Sequence, residues 1–291
     1  MRISIVILNW NRPGDTRSAV DSVLAQDHKD FEIIVWDNAS TDDSRERLTQ
    51  AYGGNPRVNL AWSDGNYGVA GGRNRAFRRA TGEIVLSLDS DAVLESRDAL
   101  AHMSAVFESE ADVGALSFEV RRPDGHLMWP FARSSAAWSE RRFDAIRVDG
   151  CSFATRRSLF DRIGGFAEHF SPYGAEDQYY AFQVIGAGFR VVYLPTVKVI
   201  HAFAPGGRQG RQFTMHVRNM LWMPLELFPM PDAVLRAGAQ ALYLAREARE
   251  QGQVAAYWRG VGEAAMAFRC SRRRPMTRDA WRQLRALMEA D

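Results

Sequence analysis

Short apolar runs alternate with amphipathic segments through the first two fifths of the chain. The runs at residues 3–8, 31–36, 58–62 and 83–88 have the length and content of buried strands. Pro13, Thr41 and Arg73 stand near the starts of the segments between them, which carry apolar residues at helical spacing. Strands that alternate with helices predict an α/β fold with a doubly wound, mostly parallel central sheet.

The same alternation continues less regularly to about residue 205. Further strands are predicted at 113–118, 150–154 and 190–194, the last stopped by Pro195, with an extended segment at 197–201. Helices are predicted at 99–107, 158–163 and 178–185. Pro205-Gly206-Gly207 predicts a boundary, and the segments 213–227 and 232–268 beyond it have mainly helical patterns. We therefore expect a helical C-terminal extension on one large α/β domain.

Composition adds only a few limits. A hydrophobic content of 46% and a charged content of 25% are ordinary for a globular protein. The net charge of +2 gives no reason to expect nucleic-acid binding, although residues 236–291 hold 11 arginines and 6 acidic residues. Two widely separated cysteines, Cys151 and Cys270, fit a reducing cytoplasm, and we expect neither a signal peptide nor a membrane span.

Asp89-Ser90-Asp91 is the first candidate for chemistry. It follows a buried strand, and the carboxyl ends of parallel strands form the ligand-binding edge of open α/β sheets. Residues i and i+2 of an extended segment share a side, so both carboxylates can approach one divalent cation that also binds phosphate oxygens. The alternative is an ordinary surface turn, since Asp and Ser favour turns.

Glu176-Asp177 is the second candidate. It directly precedes a predicted helix, so one interpretation is a helix N-terminus stabilised by negative charge. The other is a general base at the floor of an acceptor cleft. His201, at the end of an apolar segment, is either structural or the ligand that completes a metal site.

A glycine-rich segment at residues 65–72 leads into the helix predicted near residue 73. Glycines let backbone amides approach phosphate, and a helix N-terminus favours anions. The spacing is neither G-x-G-x-x-G nor a P-loop, which argues against a dinucleotide oxidoreductase and a P-loop kinase. A tight turn is the structural alternative.

Taken in order, these motifs resemble the inverting family 2 glycosyltransferases, which have a GT-A fold. The resemblance covers roughly the first two-thirds of the chain. The segments that carry it are residues 4–12, 32–42, 66–74, 88–91, 174–177 and 188–195, followed by His201. It implies a nucleotide-sugar-binding half at 1–120, an acceptor-binding half of the same domain at 121–205, and the helical extension at 206–291.

The resemblance also implies a role for each candidate residue. Asp91 corresponds to the principal metal ligand, with Asp89 and His201 as further ligands for Mn²⁺ or Mg²⁺. Asp177 corresponds to the catalytic base, with Glu176 as its neighbour and fallback. The residues implied to bind the nucleotide sugar are Asn9, Asn11, Asp37, Asn66, Gly71, Arg73, Asn74 and Asp89. Asp37 corresponds to the position that contacts the nucleobase of the donor, often uracil.

A donor linked to UDP, dTDP or GDP would transfer a hexose or deoxyhexose to a glycan, a lipid-linked or a small-molecule acceptor. His216 and Arg218 could reach the donor diphosphate, or could be ordinary helix residues. Leu221, Trp222 and the apolar residues up to Phe228 form a dense patch near Arg-rich helices. These C-terminal helices could rest peripherally on the inner face of a membrane, form a homodimer, or pack on the catalytic domain.

Two other classes of protein stay open at this point. A sugar-phosphate nucleotidyltransferase uses a related sheet, but it would carry a glycine-rich loop with a basic residue where this chain has Asn9-Trp10-Asn11-Arg12. It would also leave Glu176-Asp177 without a task. A noncatalytic sugar-binding protein on the same fold would not need the carboxylates of Asp89, Asp91 and Asp177.

Overall fold

One ten-stranded sheet organises the molecule. The computed structural model describes residues 1–170, 172, 174–202, 209–270 and 273–290. The strands are β1 Ile3–Asn9, β2 Phe31–Asp37, β3 Val58–Trp62, β4 Ile84–Asp89, β5 Ala92–Leu94, β6 Val113–Arg121, β7 Leu127–Met128, β8 Phe143–Ala145, β9 Ser152–Arg156 and β10 Arg190–His201. The main path runs β3-β2-β1-β4-β9-β6-β10-β5, with β7 beside β6 and β8 beside β10.

Helices connect the strands and then form the C-terminal part. They are α1 Pro13–Leu24, α2 Ser44–Tyr52, α3 Gly68–Phe77, α4 Ala99–Ser109, α5 Ser135–Trp138, α6 Arg157–Ile163, α7 Glu176–Gly186, α8 Arg211–Leu227, α9 Asp232–Glu250, α10 Val254–Cys270 and α11 Arg278–Ala290. A short 3-10 helix spans Glu168–Phe170.

The predicted α/β fold with a mostly parallel sheet is confirmed. β1 to β4 pair in parallel, and β6 and β10 run parallel to each other with β9 inserted antiparallel between β4 and β6. Helices bury both faces, so the central strands are apolar on each side; all of β4 up to Leu88 is buried. The carboxyl ends of β1, β2 and β4 therefore open at one edge of the sheet.

Pro195 does not stop a strand, contrary to the sequence prediction. β10 runs continuously from Arg190 to His201. Its pairing with β6 shifts register between Leu194 and Lys198, so Pro195 lies in an irregularity where the ladder does not need its missing amide. The continuous strand carries His201 to the end of the sheet, where it pairs with Ala92 of β5.

The glycine-rich segment is mostly helix rather than the expected phosphate loop. α3 begins at Gly68 and contains Gly71 and Gly72. A Cβ on Gly72 would stand 2.7 Å from Leu8 Cδ1 of β1 and 3.3 Å from the Asn38 amide. Gly72 therefore lets α3 pack closely against the sheet edge.

The C-terminal helices pack on one another and on the sheet domain. The patch predicted around residues 221–228 is internal, since Leu221, Trp222, Leu227 and Phe228 are buried. The helical stretch after residue 232 is broken by Gly252, whose φ is 67°, into α9 and α10. α11 was not predicted, and the boundary at Pro205-Gly206-Gly207 lies outside the described residues. No helix in the described part of the chain is long and apolar enough to cross a membrane.

Close helix packing in this part gives a paired test. A Cβ on Gly260 of α10 would meet the Thr214 carbonyl oxygen of α8 at 2.6 Å, whereas one on Gly262 meets nothing within 4 Å. We expect Gly260→Ala to lower the free energy of unfolding by about 1–3 kcal/mol because the helices must separate. Gly262→Ala should raise it by up to about 1 kcal/mol through helix propensity. Urea unfolding measures both, and equal effects would contradict the described packing.

Candidate active site

Three potential metal ligands meet at the sheet edge. Asp89 ends β4, Asp91 follows after Ser90, and His201 ends β10. The backbone brings them together because β5, which starts right after Asp91, pairs antiparallel with β10 and the Ala202 amide donates to the Asp91 carbonyl at 2.9 Å. One ligand atom from each of the three residues lies within 4.8 Å of the others. The predicted grouping of Asp89, Asp91 and His201 is thus present as a cluster that could hold a metal ion.

Positive groups surround the Asp91 carboxylate. Oδ1 lies 3.2 Å from His201 Nε2, and Oδ2 accepts a hydrogen bond from Arg12 Nη1 at 2.6 Å. Burial alone would raise the pKa of Asp91, but His201 and Arg12 outweigh it and the pKa is lowered. Burial would likewise lower the pKa of His201, yet the hydrogen bond to Asp91 and the charge of Asp89 raise it.

Arg73 joins the two halves of the site. Its guanidinium, 2% exposed, donates from Nη2 to Asp89 Oδ1 at 2.7 Å and to the Gly150 carbonyl at 2.5 Å. Its Nη1 lies 3.3 Å from Glu176 Oε1. Burial raises the pKa of Asp89, and the nearby Asp91 adds to the effect while Arg73 opposes it. The described contacts of Arg73 connect β4 to α7, and its contact with the nucleotide side stays a prediction.

Glu176 and Asp177 form the first turn of α7. Gly174 and Ala175 before them both have positive φ, 93° and 67°, which turns the chain sharply into the helix. Glu176 points at Arg73, and its pKa is raised to about 7 by burial and by the neighbouring Asp177, against the opposing charge of Arg73.

Asp177 is partly exposed and lies over Gly150. Its Oδ1 accepts a hydrogen bond from the Gln178 amide at 2.8 Å, so it also satisfies one of the free amides of the first turn. A Cβ on Gly150 would stand 2.9 Å from Asp177 Oδ2. A side chain at position 150 would push this carboxylate aside, and the capping and functional interpretations of the pair are compatible.

The residues predicted at the nucleotide side form a polar network. Asn9 is fully buried; its amide donates to Asp37 Oδ2 at 2.6 Å and accepts from Thr16. Asp37 also accepts from the amide and hydroxyl of Ser40. Asn11 lies outside this core and accepts from the Thr41 amide at 2.8 Å. The network fixes the turn after β2, and direct nucleotide contacts by Asn9, Asn11 and Asp37 stay predictions.

Asn66 and Asn74 hold the two ends of α3. Asn66 Oδ1 accepts from the Gly68 amide at 2.8 Å and from Asn38 at 3.0 Å, which sets the start of the helix. Asn74 is buried and binds the backbone of Phe166 in both directions. The described hydrogen bonds of Asn66 and Asn74 stabilise the fold. Contacts of Asn66, Asn74 and Gly71 with a donor stay predictions.

His216 and Arg218 lie on α8, beside the segment that enters α7. The His216 backbone is 4.0 Å from the position of a Gly174 Cβ, and Arg218 donates to Asn219 Oδ1. Asn219 in turn donates to the Gly174 carbonyl at 2.6 Å. α8 thus supports the loop that positions Glu176 and Asp177, and a reach of His216 or Arg218 to a diphosphate stays a prediction.

Sequence reasoning missed the parts played by Arg12, Asn38 and Gly150. Arg12 stood in the first motif without a role, yet it pairs with Asp91. Asn38 links Asn66, the Tyr67 amide and the Gly68 carbonyl. Gly150 was interpreted only as the start of a strand. Its position, between Asp149 and the strand that begins at Ser152, gave no signal of the contact with Arg73 and Asp177.

A sequence model of the family described as "Glycosyl transferase family 2" matches residues 4–167, which is more than half of the chain. The chain belongs to glycosyl transferase family 2. The resemblance seen in the motifs is therefore confirmed, and the family assignment gives no support to the nucleotidyltransferase alternative.

Curated family 2 relatives match parts of the chain. An uncharacterized glycosyltransferase of Nostoc sp., alr2836, is 38% identical over 116 residues, which are 40% of this chain and 36% of the relative. The O-antigen chain rhamnosyltransferase WbaN of Salmonella anatum is 27% identical over 189 residues, 61% of this chain and 58% of the relative. The chain therefore spans between about a third and three fifths of these relatives.

Solved glycosyltransferase structures share the fold over most of the chain. The mannosyltransferase PcManGT from Pyrobaculum calidifontis, in complex with GDP-Man and Mn²⁺, has a TM-score of 0.64 at 22% identity and covers 98% of this chain and 79% of its own. Residues 1–349 of S. aureus TarS in complex with UDP-GlcNAc have a TM-score of 0.65 at 18% identity, covering 99% of this chain and 84% of that one. The GT-A fold is confirmed.

Loss of the buried Arg73 guanidinium should strongly destabilise this family 2 chain. We expect Arg73→Met to lower the free energy of unfolding by about 3–5 kcal/mol, because Asp89 and Glu176 lose the cation they share. Arg75→Met removes a neighbouring, partly exposed arginine that pairs with Glu168 at 3.5 Å and should cost less than about 1 kcal/mol. Chemical unfolding of both variants measures the difference, and a similar loss from each would refute the role given to Arg73.

Glu176 should make the stability of the metal-free protein depend on pH. Because its pKa is raised from 4.5 to about 7, the folded chain holds a proton that the unfolded chain releases between these values. The contribution of Glu176 to stability is thus present below about pH 4.5 and lost as the pH rises through 7. The melting temperature of Glu176→Gln relative to the wild type, measured in EDTA, should increase from pH 5 to pH 8. A difference independent of pH would contradict the raised pKa.

Proposed function

We propose that this chain is an inverting, metal-dependent glycosyltransferase that moves a sugar from a nucleotide-diphosphate sugar to an acceptor hydroxyl in a single displacement. The observation that carries the proposal is the spacing of acidic groups around Arg73. The cluster of Asp89, Asp91 and His201 lies on one side of its guanidinium, and Glu176 and Asp177 lie on the other. A donor diphosphate and an attacking hydroxyl need such separate sites.

The donor is proposed to be linked to UDP, dTDP or GDP. Support comes from the structures of similar fold that were solved in complex with GDP-Man, UDP or UDP-GlcNAc. A rhamnosyltransferase and a mannosyltransferase are among the proteins similar to this chain, so the transferred group is proposed to be a hexose or a deoxyhexose. The residues proposed to line the donor are Asn9, Asn11, Asp37, Asn66, Gly71, Arg73, Asn74, Asp89, His216 and Arg218.

Asp91, Asp89 and His201 are proposed to hold Mn²⁺ or Mg²⁺. Two carboxylate oxygens and an imidazole nitrogen within 4.8 Å suit a small divalent cation. Asp91 is the residue that we most expect to ligate the metal ion directly, because its two carboxylate oxygens already lie close to two cationic groups, Arg12 and His201. When bound, the metal would neutralise charge that develops on the leaving nucleoside diphosphate.

Asp177 is proposed as the general base. Glu176 is buried and held by Arg73, and its pKa, raised to about 7 by burial, disfavours the ionised form that a base needs. Asp177 is partly exposed beside Gly150 and can face an acceptor. Asp177 takes the hydroxyl proton as the acceptor oxygen bonds to the anomeric carbon, the bond to the diphosphate oxygen breaks, and the configuration inverts.

The acceptor is proposed to be a glycan, a lipid-linked molecule or a small molecule. Gly174, which precedes α7 and lies close to Asp177 in sequence, packs against α8, so this part of the surface is proposed to contact the acceptor. On this proposal residues 1–120 bind the donor, residues 121–205 bind the acceptor, and residues 206–291 form the extension that supports the acceptor loop.

Replacement of the proposed base should separate chemistry from donor binding. Asp177→Asn should fold, keep its thermal shift with a nucleotide sugar, and lose at least about 10²-fold in transfer or donor hydrolysis. Asp161→Asn, an exposed carboxylate on α6, is the matched control and should retain full activity. An active Asp177→Asn enzyme would exclude Asp177 as the base. If Glu176→Gln alone then lost activity, the role would pass to Glu176.

Replacement of a proposed metal ligand should abolish the response to metal. Asp91→Asn should lose the rise in melting temperature that the wild type shows with Mn²⁺ or Mg²⁺, because the cluster then keeps only one carboxylate. Asp64→Asn, an acidic residue at the surface that binds Tyr67, should respond like the wild type. A normal response in Asp91→Asn, or no response in the wild type, would count against the metal site.

A further inference from the structure

Exposed apolar side chains are concentrated at one place, well beyond the active site in sequence. Of the ten large apolar side chains that are exposed in the described chain, eight lie between residues 230 and 266. The other two, Trp10 and Tyr67, lie at the donor edge of the sheet. Isolated exposed apolar residues are normal, but a contiguous group marks a surface that contacts another phase or molecule.

Seven of these eight side chains lie on two neighbouring helices, and Met230 precedes the first of them. In α9, Leu235, Leu242, Arg246 and Arg249 recur at intervals of seven, four and three residues, which is one stripe of a helix, and all are exposed. The opposite stripe, with Leu244 and Ala248, is buried against the rest of the C-terminal helices.

α10 continues this surface. Its outward residues include Val254, Trp258 and Met266, which are 45%, 65% and 63% exposed, whereas Tyr257 and Ala264 are buried. α9 and α10 are joined by only three residues, so they form a hairpin. We call the outward surface of this hairpin the α9–α10 face; it also includes Val234 and Tyr243.

The charge on the α9–α10 face is almost entirely positive. Arg236, Arg249, Arg259 and Arg269 are exposed, and none has an ion-pair partner among the residues that the structure describes. Of the four carboxylates on the two helices only Glu250 is exposed, and it pairs with Arg246 at 2.8 Å. Glu263 is turned to Arg211 of α8 instead. Apolar side chains are thus surrounded by unneutralised arginines.

We propose that the α9–α10 face docks on an anionic lipid surface. Leucine, tryptophan and tyrosine side chains would enter the boundary between headgroups and acyl chains, and the arginines would contact lipid phosphates. Trp258 and Tyr243 are the residue types enriched at that boundary. This inference does not depend on the proposed transfer reaction, because no active-site residue belongs to the face.

A second copy of the chain suits the face less well. In a two-fold pairing with α9 helices antiparallel, Leu235 of one copy would face the Arg249 end of the other. In a parallel pairing, arginine would face arginine, since the exposed surface has almost no carboxylate to neutralise it. A lipid surface supplies apolar and anionic groups together.

Docking there would have a consequence for the rest of the molecule. α8 packs against both α9 and α10, and its Asn219 holds the carbonyl groups of Phe170 and Gly174 at 3.0 and 2.6 Å. A hairpin resting on a membrane would therefore set the orientation of the loop that leads to Glu176 and Asp177.

Vesicle flotation with the full chain tests the proposal. The wild type should float with vesicles of phosphatidylcholine containing 30% phosphatidylglycerol, remain unbound with phosphatidylcholine alone, and bind less as salt is raised. Leu242→Glu/Trp258→Glu should reduce partitioning at least about tenfold. The matched control Ala101→Glu/Ala105→Glu adds the same charge to exposed positions of α4 and should bind like the wild type.

Sedimentation equilibrium and circular dichroism complete the test. All variants should fold and, without vesicles, sediment as monomers. If the wild type does not float with anionic vesicles, or if the α9–α10 variant floats as well as the control, the proposal is wrong. A wild-type dimer that Leu242→Glu/Trp258→Glu dissociates would also overturn it and assign the face to a second copy.

Discussion

A buried guanidinium cannot exist in this fold without the carboxylates around it, and the active site is arranged by that constraint. Arg73 is buried on α3, and its five donors must find acceptors away from water. Asp89 at the end of β4, Glu176 at the start of α7 and the Gly150 carbonyl accept three hydrogen bonds from it. One side chain thereby fixes the distance between the edge of the sheet and the helix that carries Asp177.

The same constraint brings more carboxyl groups than cationic side chains to the site. Asp89, Glu176 and Asp177 share the field of a single arginine, and burial raises the pKa of both Asp89 and Glu176. On the other side of Asp89, Asp91 draws in Arg12 and His201. An excess of carboxyl groups over cationic side chains at the sheet edge suits the binding of a divalent cation. The mechanism proposed for this family 2 chain uses such a cation.

The sequence was a good guide where a residue's own neighbours decide its structure. The apolar runs of β1 to β4 and the position of Asp89 and Asp91 after β4 follow from local pattern, and the order of the motifs led to the family. It failed where packing between distant segments decides. Gly72 was expected to lie in a loop, but it lies in a helix that packs closely against Leu8. Pro195 was expected to end a strand, but a register shift beside β6 lets the strand continue through it. The contact between Gly150 and Asp177 has no local signature either, and a helical pattern does not say which helices leave an apolar face unpacked.

Transfer by a single inverting displacement is tested most directly by the anomeric configuration of the sugar released from a hydrolysed donor. Incubation with an accepted nucleotide sugar and Mn²⁺, followed by proton NMR within the first minutes, resolves the anomeric proton before mutarotation mixes the two forms. Single displacement predicts free sugar of the opposite anomeric configuration to the donor, together with nucleoside diphosphate. Free sugar with the donor's configuration would contradict single displacement. Sugar phosphate with nucleoside monophosphate would contradict glycosyl transfer itself.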